Sequence, residues 1–168
     1  IATAVGCQWL ARSLRYPNPE EAYVGGLLHD MGKLVLDQFV VLDYPRMVTI
    51  MQRNNLLLSQ VEEHVFGIDH AAVGSVMSGK WNFPPVLEDA IRYHHSPSLA
   101  HVSEPLAAIV NIADAIMHQI EPRTVLTPAQ VIHPESLRIL SLSERRLAVW
   151  QDEITRLLST VDKTAIPV

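Results

Sequence analysis

A single cysteine, Cys7, stands in a chain of 168 residues, so no disulfide framework holds this fold and no thiolate set is available for a metal. A lone thiol fits a reducing compartment such as the cytosol, where it behaves as a small apolar side chain. Charge is also scarce. Only 18% of the residues are charged against 48% apolar, a balance that excludes a disordered chain. Positive charge is the scarcer sign: 13 Lys and Arg face 18 Asp and Glu, giving a net charge of -5. The cations occur singly or in pairs such as Arg145-Arg146, which excludes a phosphate-tracking stripe and any general nucleic-acid surface. Uninterrupted apolar runs are missing as well. The richest stretches, Leu27 to Leu42 and Leu106 to Ile120, are broken by Asp30, Lys33, Asp37 and Asp114, and neither reads as a membrane span. No signal-peptide pattern is present, and Ile1 opens the chain inside what reads as a helix, as expected of a piece of a longer protein that has further N-terminal helices. The expectation is a cytoplasmic protein with no membrane association.

At this length one domain, 1–168, is the default, with a core large enough to need no covalent staple. No run of alternating β-branched residues suggests a sheet, and proline and asparagine divide the chain into helical segments, so the predicted class is all-α. Ala2 to Leu14 places Val5, Trp9, Leu10 and Leu14 at helical spacing. Asn18 then caps a helix with Pro19 in its first position, running to about Met31. Gly32 is expected to loosen the chain before an apolar stretch from Leu34 to Leu42, followed by a helix from Tyr44 to about Gln52. Ser59-Gln60-Val61-Glu62 fits a capping box, and Gly67 closes that helix. Further helices are expected from Asp69 to Lys80, Pro85 to His95, Glu104 to Ile120 and Ser143 to about Val161, with Glu121 to Pro134 as a connection.

The informative feature is where ionisable groups interrupt apolar helices. In Leu27-Leu28-His29-Asp30-Met31-Gly32-Lys33-Leu34, a histidine and a carboxylate adjoin at the end of a helix that otherwise wants burial. On a helix they lie about 100° apart, suited to grasping one cation or bridging two, with Lys33 near an anion held there. The alternative is an ordinary helix C-terminus with a histidine at the negative dipole end and a solvated lysine. His70 opens a second apolar helix, His94-His95 end a third, and Asn111, Asp114 and His118 share one face of the helix from Glu104. A carboxylate among Ile112, Ala113, Ala115 and Ile116 must meet solvent, a histidine or a metal. His64, His101, His118 and His133 are read as background. Trp81, Phe83 and Pro84 are expected to pack a corner between helices, and Met47, Met51, Met77 and Met117 to fill the core.

The ordered series His29-Asp30, His70, His94-His95 and Asp114 resembles the HD superfamily of metal-dependent phosphohydrolases. The phrases LLHDMGKLVL, GIDHAAVGSVMSGKWNFPP, AIRYHHSP and VNIADAI resemble the HDOD family more closely. HDOD domains are HD-related output domains of bacterial signalling proteins, often set beside response-regulator or nucleotide-signalling modules. The resemblance spans nearly the whole chain and implies a compact multi-helix HD-like fold. Compared with the catalytic HD-GYP family, which hydrolyses cyclic di-GMP, it implies His29, Asp30, His70, His94, His95 and Asp114 as metal ligands and Lys33 as the catalytic lysine of any enzyme. Two departures stand out. The family's first histidine matches a position before Ile1, and Ser96-Pro97-Ser98-Leu99-Ala100 supplies neither a carboxylate directly after the double histidine nor a Gly-Tyr-Pro segment.

Three functions follow from these residues. One is a non-catalytic regulatory module that works through other signalling proteins or domains. Another is a phosphohydrolase acting on a nucleotide or phosphodiester, in which one or two divalent cations, Fe, Mn, Mg or Zn by the imidazole and carboxylate ligand types, activate water. The third is a sensor that binds metal or nucleotide without turnover.

Overall fold

The computed structural model describes residues 1–39, 44–120 and 132–161, and among them it is built of helices with no strand. The order is α1 (Ala2–Ser13), α2 (Pro19–Leu28), α3 (Met31–Phe39), α4 (Tyr44–Asn54), α5 (Leu58–Phe66), α6 (His70–Lys80), α7 (Pro85–Tyr93), a 3-10 turn (Pro97–Leu99), α8 (Glu104–Ile120), α9 (Pro134–Ile139) and α10 (Glu144–Val161). No helix among the described residues is long and apolar enough to cross a membrane.

Local chemistry accounts for most helix ends. Asn18 Oδ1 accepts from Glu21 N at 3.2 Å, and Asp69 Oδ1 accepts from Ala72 N at 2.7 Å, so both act as N-caps. Gly67 adopts φ 73°, the left-handed conformation that closes α5 without the Cβ clash other residues would incur. Helix α8 is apolar apart from Asn111, Asp114 and His118 on one face and its end residues, and runs through the centre. Leu106, Ile109, Val110, Ile112, Ala113 and Ile116 are fully buried among residues of α1, α2, α7, α9 and α10. Each of the larger ones contributes roughly 1.5–3 kcal/mol by leaving water. Trp9 and Trp150 join α1 to α10 edge-to-face at 5.5 Å.

The structure departs from the sequence reading in several places. Helix α2 ends at Leu28, and His29-Asp30 form the turn between α2 and α3 rather than a helix end at Met31. Gly32 does not loosen the chain but lies inside α3, where the backbone of α6 leaves no room for a Cβ. The α5 cap is shifted by two residues: Gln60 Oε1 accepts from Leu57 N at 2.9 Å, which leaves Glu62 free for another task. Helix α9 lies where the sequence gives no helical signal, because its six residues are too few for a periodic pattern; His133 caps it, accepting from Glu135 N at 3.3 Å. Trp81 is 55% exposed and touches Phe83 at 5.9 Å between centroids, so the corner is only partly packed. Within α1 the deepest residues are the small ones, Ala4, Cys7 and Ala11 with Leu10, because α2 comes so close that Gly26 meets Cys7 and Ala4. Met47, Met51 and Met117 are core residues as expected, while Met77 is half-buried. Residues 40–42 of the expected apolar stretch and 121–131 of the expected connection lie outside the described residues.

Candidate metal centre

Four places far apart in sequence converge beside α8: the α2–α3 turn brings His29 and Asp30, the first turn of α6 brings His70, the end of α7 brings His94 and His95, and α8 brings Asp114. His94 is at the middle. Its ring centroid lies 3.9 Å from that of His95, 5.1 Å from that of His29 and 5.5 Å from that of His70. Two overlapping triads result, His70/His94/His95 and His29/Asp30/His94, each with one ligand atom per residue within 4.8 Å of the others.

Three of the imidazoles are anchored alike. His94 Nδ1 donates to Ile91 O at 2.8 Å, His29 Nδ1 donates to Gly26 O at 2.9 Å, and His70 Nδ1 donates to Glu62 Oε2 at 2.5 Å. With Nδ1 engaged in this way, each ring turns its Nε2 toward the shared space, the arrangement by which outer partners hold metal-binding histidines. His94 Nε2 is buried and makes no hydrogen bond, and neither does Asp30 Oδ1. A buried polar atom left so is costly without a further partner. The donor spacings fit a cation. His29 Nε2 lies 3.4 Å from Asp30 Oδ2 and 3.2 Å from Asp114 Oδ1, while His70 Nε2 lies 3.3 Å from Asp30 Oδ1 and 2.9 Å from His95 Nε2. Adjacent ligands each about 2.1 Å from one ion are separated by about that much. The buried cluster can therefore hold a metal.

Electrostatics divides the cluster in two. Burial drives the His94 imidazole well below its ordinary pKa, helped by His95, His29 and His70, and lowers His95 to about 3 with help from His70. Both stay neutral and keep their lone pairs. Burial also opposes charge on His29, but Asp30 and Asp114 outweigh it and raise that imidazole to about 10. The two carboxylates are correspondingly held low against the cost of burial, Asp30 by His29 and Lys33 and Asp114 by His118 and His29. In the metal-free protein His29 is thus an imidazolium between two carboxylates.

All seven sequence-derived candidates meet here. Lys33 reaches the cluster through Asp30, with Nζ 2.7 Å from Oδ2, and both side chains stand about one-third exposed at its rim, 31% and 33%. Two residues escaped the sequence reading. Glu62, buried on α5, accepts from both the backbone N and Nδ1 of His70; the αL turn at Gly67 separates them, so no helical spacing links the pair. His118, read as background, has Nδ1 3.2 Å from Asp114 Oδ1 and 3.0 Å from Asp114 O, one turn along α8. Its i, i+4 spacing from Asp114 was the signal. Asn111, on the same face, instead accepts from His133 N at 2.9 Å and Ser136 Oγ at 2.8 Å and holds α9. His64 is exposed, and His101 stacks edge-to-face on Tyr93.

The HDOD domain family model matches residues 1–97, which include the α2–α3 turn, His70 and the double histidine but stop short of Asp114. An HDOD domain protein with unknown function from Geobacter sulfurreducens is similar in structure, with a TM-score of 0.69 and 23% identity over 95% of this chain and 56% of that one. A candidate phosphohydrolase from Shewanella amazonensis SB2B gives a TM-score of 0.67 and 21% identity over 93% of this chain and 56% of that one. At these identities the likenesses show the fold. In sequence, an uncharacterized protein of Treponema pallidum (strain Nichols) is 24% identical over 70% of this chain and 25% of its own length. The chain therefore spans about half the length of the solved relatives and a quarter of the curated one.

Proposed function

The chain belongs to the HDOD domain family, and from that footing we propose that it is a cytoplasmic signal-transduction output module that holds a divalent cation and acts through contacts with other signalling proteins or domains. The observation that supports it best is the common orientation of His29, His70 and His94, each Nδ1 engaged so that Nε2 faces one shared space, with His94 Nε2 left without a hydrogen bond. Imidazole and carboxylate donors without thiolate suit Fe, Mn, Mg or Zn. Holding such an ion ties the α2–α3 turn, α6 and α7 together, so occupancy sets how three helices sit against one another. Asp30 takes Lys33 at 2.7 Å, so the lysine neutralises a ligand carboxylate rather than standing free for a phosphate. That favours the regulatory reading over turnover.

The second reading is a phosphohydrolase acting on a nucleotide or phosphodiester. The observation in its favour is that Asp30 and Lys33 meet solvent at the rim of the cluster, where a phosphate oxygen could reach both the lysine and a cation. A cation there would supply Lewis acidity toward water and phosphate. Lys33 would steady the anion, and Asp30, His70, His94 and His95 would hold the ion.

Elemental mass spectrometry on protein purified without chelator or a nickel column, paired with a generic phosphodiester assay, separates the readings. The expected result is near-stoichiometric Fe, Mn or Zn, lost from a His94→Ala, Asp114→Ala variant, with no metal-dependent turnover. Turnover that disappears in the variant would replace the output module with the hydrolase. Absence of metal, even after Fe or Mn is added, would leave the histidines as hydrogen-bonded core residues and overturn the metal-binding part.

A further inference from the structure

Helices α4 and α5 form a unit of their own. Met47, Met51 and Val61 are buried against one another, with Ile50, Leu56, Leu58 and Phe66 packed around them, in a cluster separate from the core built on α8. Local bonds close the unit internally: Asn54 Nδ2 donates to Ile50 O at 2.9 Å, Leu56 N to Met51 O at 3.0 Å, and Leu57 N to Gln60 Oε1 at 2.9 Å. Moving this hairpin away from α6 would leave that small core intact.

What joins it to the centre is a carboxylate. Glu62 is buried on α5, and its Oε2 accepts from His70 N at 2.9 Å and from His70 Nδ1 at 2.5 Å. Both bonds go to the residue whose Nε2 faces Asp30 and His95. If the hairpin undocks, His70 loses the acceptor that fixes its ring, and a backbone N–H at the start of α6 loses its partner.

We propose that Glu62 is a positioning residue for His70 and that through this link cation binding at the centre and docking of the α4–α5 hairpin stabilise each other. The inference rests on the metal-binding reading above. A cation that needs His70 held binds the docked state better than the undocked one, so it must shift the hairpin toward docking, and docking must raise cation affinity by the same factor. The hairpin is thereby the element that carries occupancy of the centre to the surface.

The test is hydrogen exchange of residues 44–66 in the full chain, with and without Mn2+ and then Zn2+, while elemental analysis measures the bound ion. In the unsubstituted protein the ion should slow exchange of the hairpin amides about tenfold or more. Glu62→Gln, which keeps the size but weakens the acceptor, should lower affinity about 10- to 100-fold and remove the protection. Met51→Ala touches no residue of the centre but opens the hairpin's own core, so that α5 no longer holds Glu62 against His70; it should speed hairpin exchange and weaken cation binding, with exchange in α8 unchanged as the check on folding. Bound ion with unaltered hairpin exchange would overturn the coupling, as would a loosened hairpin in Met51→Ala with undiminished affinity. Failure of either ion to bind would overturn the metal reading and this inference with it, and the elemental measurement distinguishes that case from the other two.

Discussion

Gly32 and His70 lie so close that a Cβ on the glycine would overlap the carbonyl oxygen of His70 and press on Gly74 N. Helices α3 and α6 therefore touch backbone to backbone, and this contact sets Asp30 and His70 at 3.3 Å from each other. Gly32→Ala must push the two helices apart, since the obstacle is main chain and cannot rotate away. The expected loss is on the order of 3 kcal/mol in urea unfolding, together with loss of metal from whatever fold remains. A variant of native stability and full metal content would show the contact to be looser than described.

His94 belongs to both triads, whereas His95 belongs to one. Removing His94 should abolish retention of the ion, while His95→Ala leaves His29, Asp30 and His94 in place and should keep binding at reduced affinity. The metal-induced rise in Tm reports both: absent in His94→Ala, smaller but present in His95→Ala. Equal losses in the two variants would mean that His94 has no special place.

Protonation should oppose metal binding through His29. In the metal-free protein its imidazole is raised to about 10, so over neutral pH an incoming cation must displace its proton, and affinity should climb by up to about tenfold per pH unit. Calorimetry in buffers of different ionisation enthalpy should find close to one proton released at pH 7.5. The same shifts set the stability of the metal-free protein. His29 holds more protons folded than unfolded between its ordinary 6.5 and about 10, so its contribution is fully present below 6.5 and is lost as pH rises through 10. His95, lowered to about 3, binds its proton more readily unfolded, so its contribution is lost as pH falls from 6.5 toward 3. Urea unfolding with chelator present should show greatest stability near pH 6.5; a monotonic rise from 5 to 9 would refute this assignment of charges.

Asp89, on α7, accepts from three successive backbone donors: His101 N at 3.0 Å on Oδ1, and Val102 N at 2.8 Å and Ser103 N at 3.0 Å on Oδ2. It thereby ties the entry of α8 to the helix that ends in His94. Asp89→Ala strands three backbone N–H groups and should cost about 3 kcal/mol, while Asp89→Asn keeps one good acceptor and should cost less. Equal midpoints for both variants and the unsubstituted chain would show that water replaces the carboxylate without loss.

Much of this protein was legible in the sequence, because what was read there depends on neighbours along the chain. The all-α class, the caps at Asn18 and Asp69, the stop at Gly67 and the central apolar helix each follow from a few adjacent residues acting on their own backbone. The candidate ligands were visible for a related reason: His29, His70, His94 and Asp114 are polar residues in apolar segments that are buried, and such residues need partners. Only the tertiary structure decided which partners they have. Glu62 reads as a helix-capping residue until α5 is laid against α6, His118 reads as background until Asp114 turns its carboxylate toward it, and Gly32 reads as a loosening residue until the backbone of α6 meets it. Those contacts depend on how closely two helices approach and at what height each residue sits across the gap, quantities set by the packing of the whole core rather than by the residues on either side.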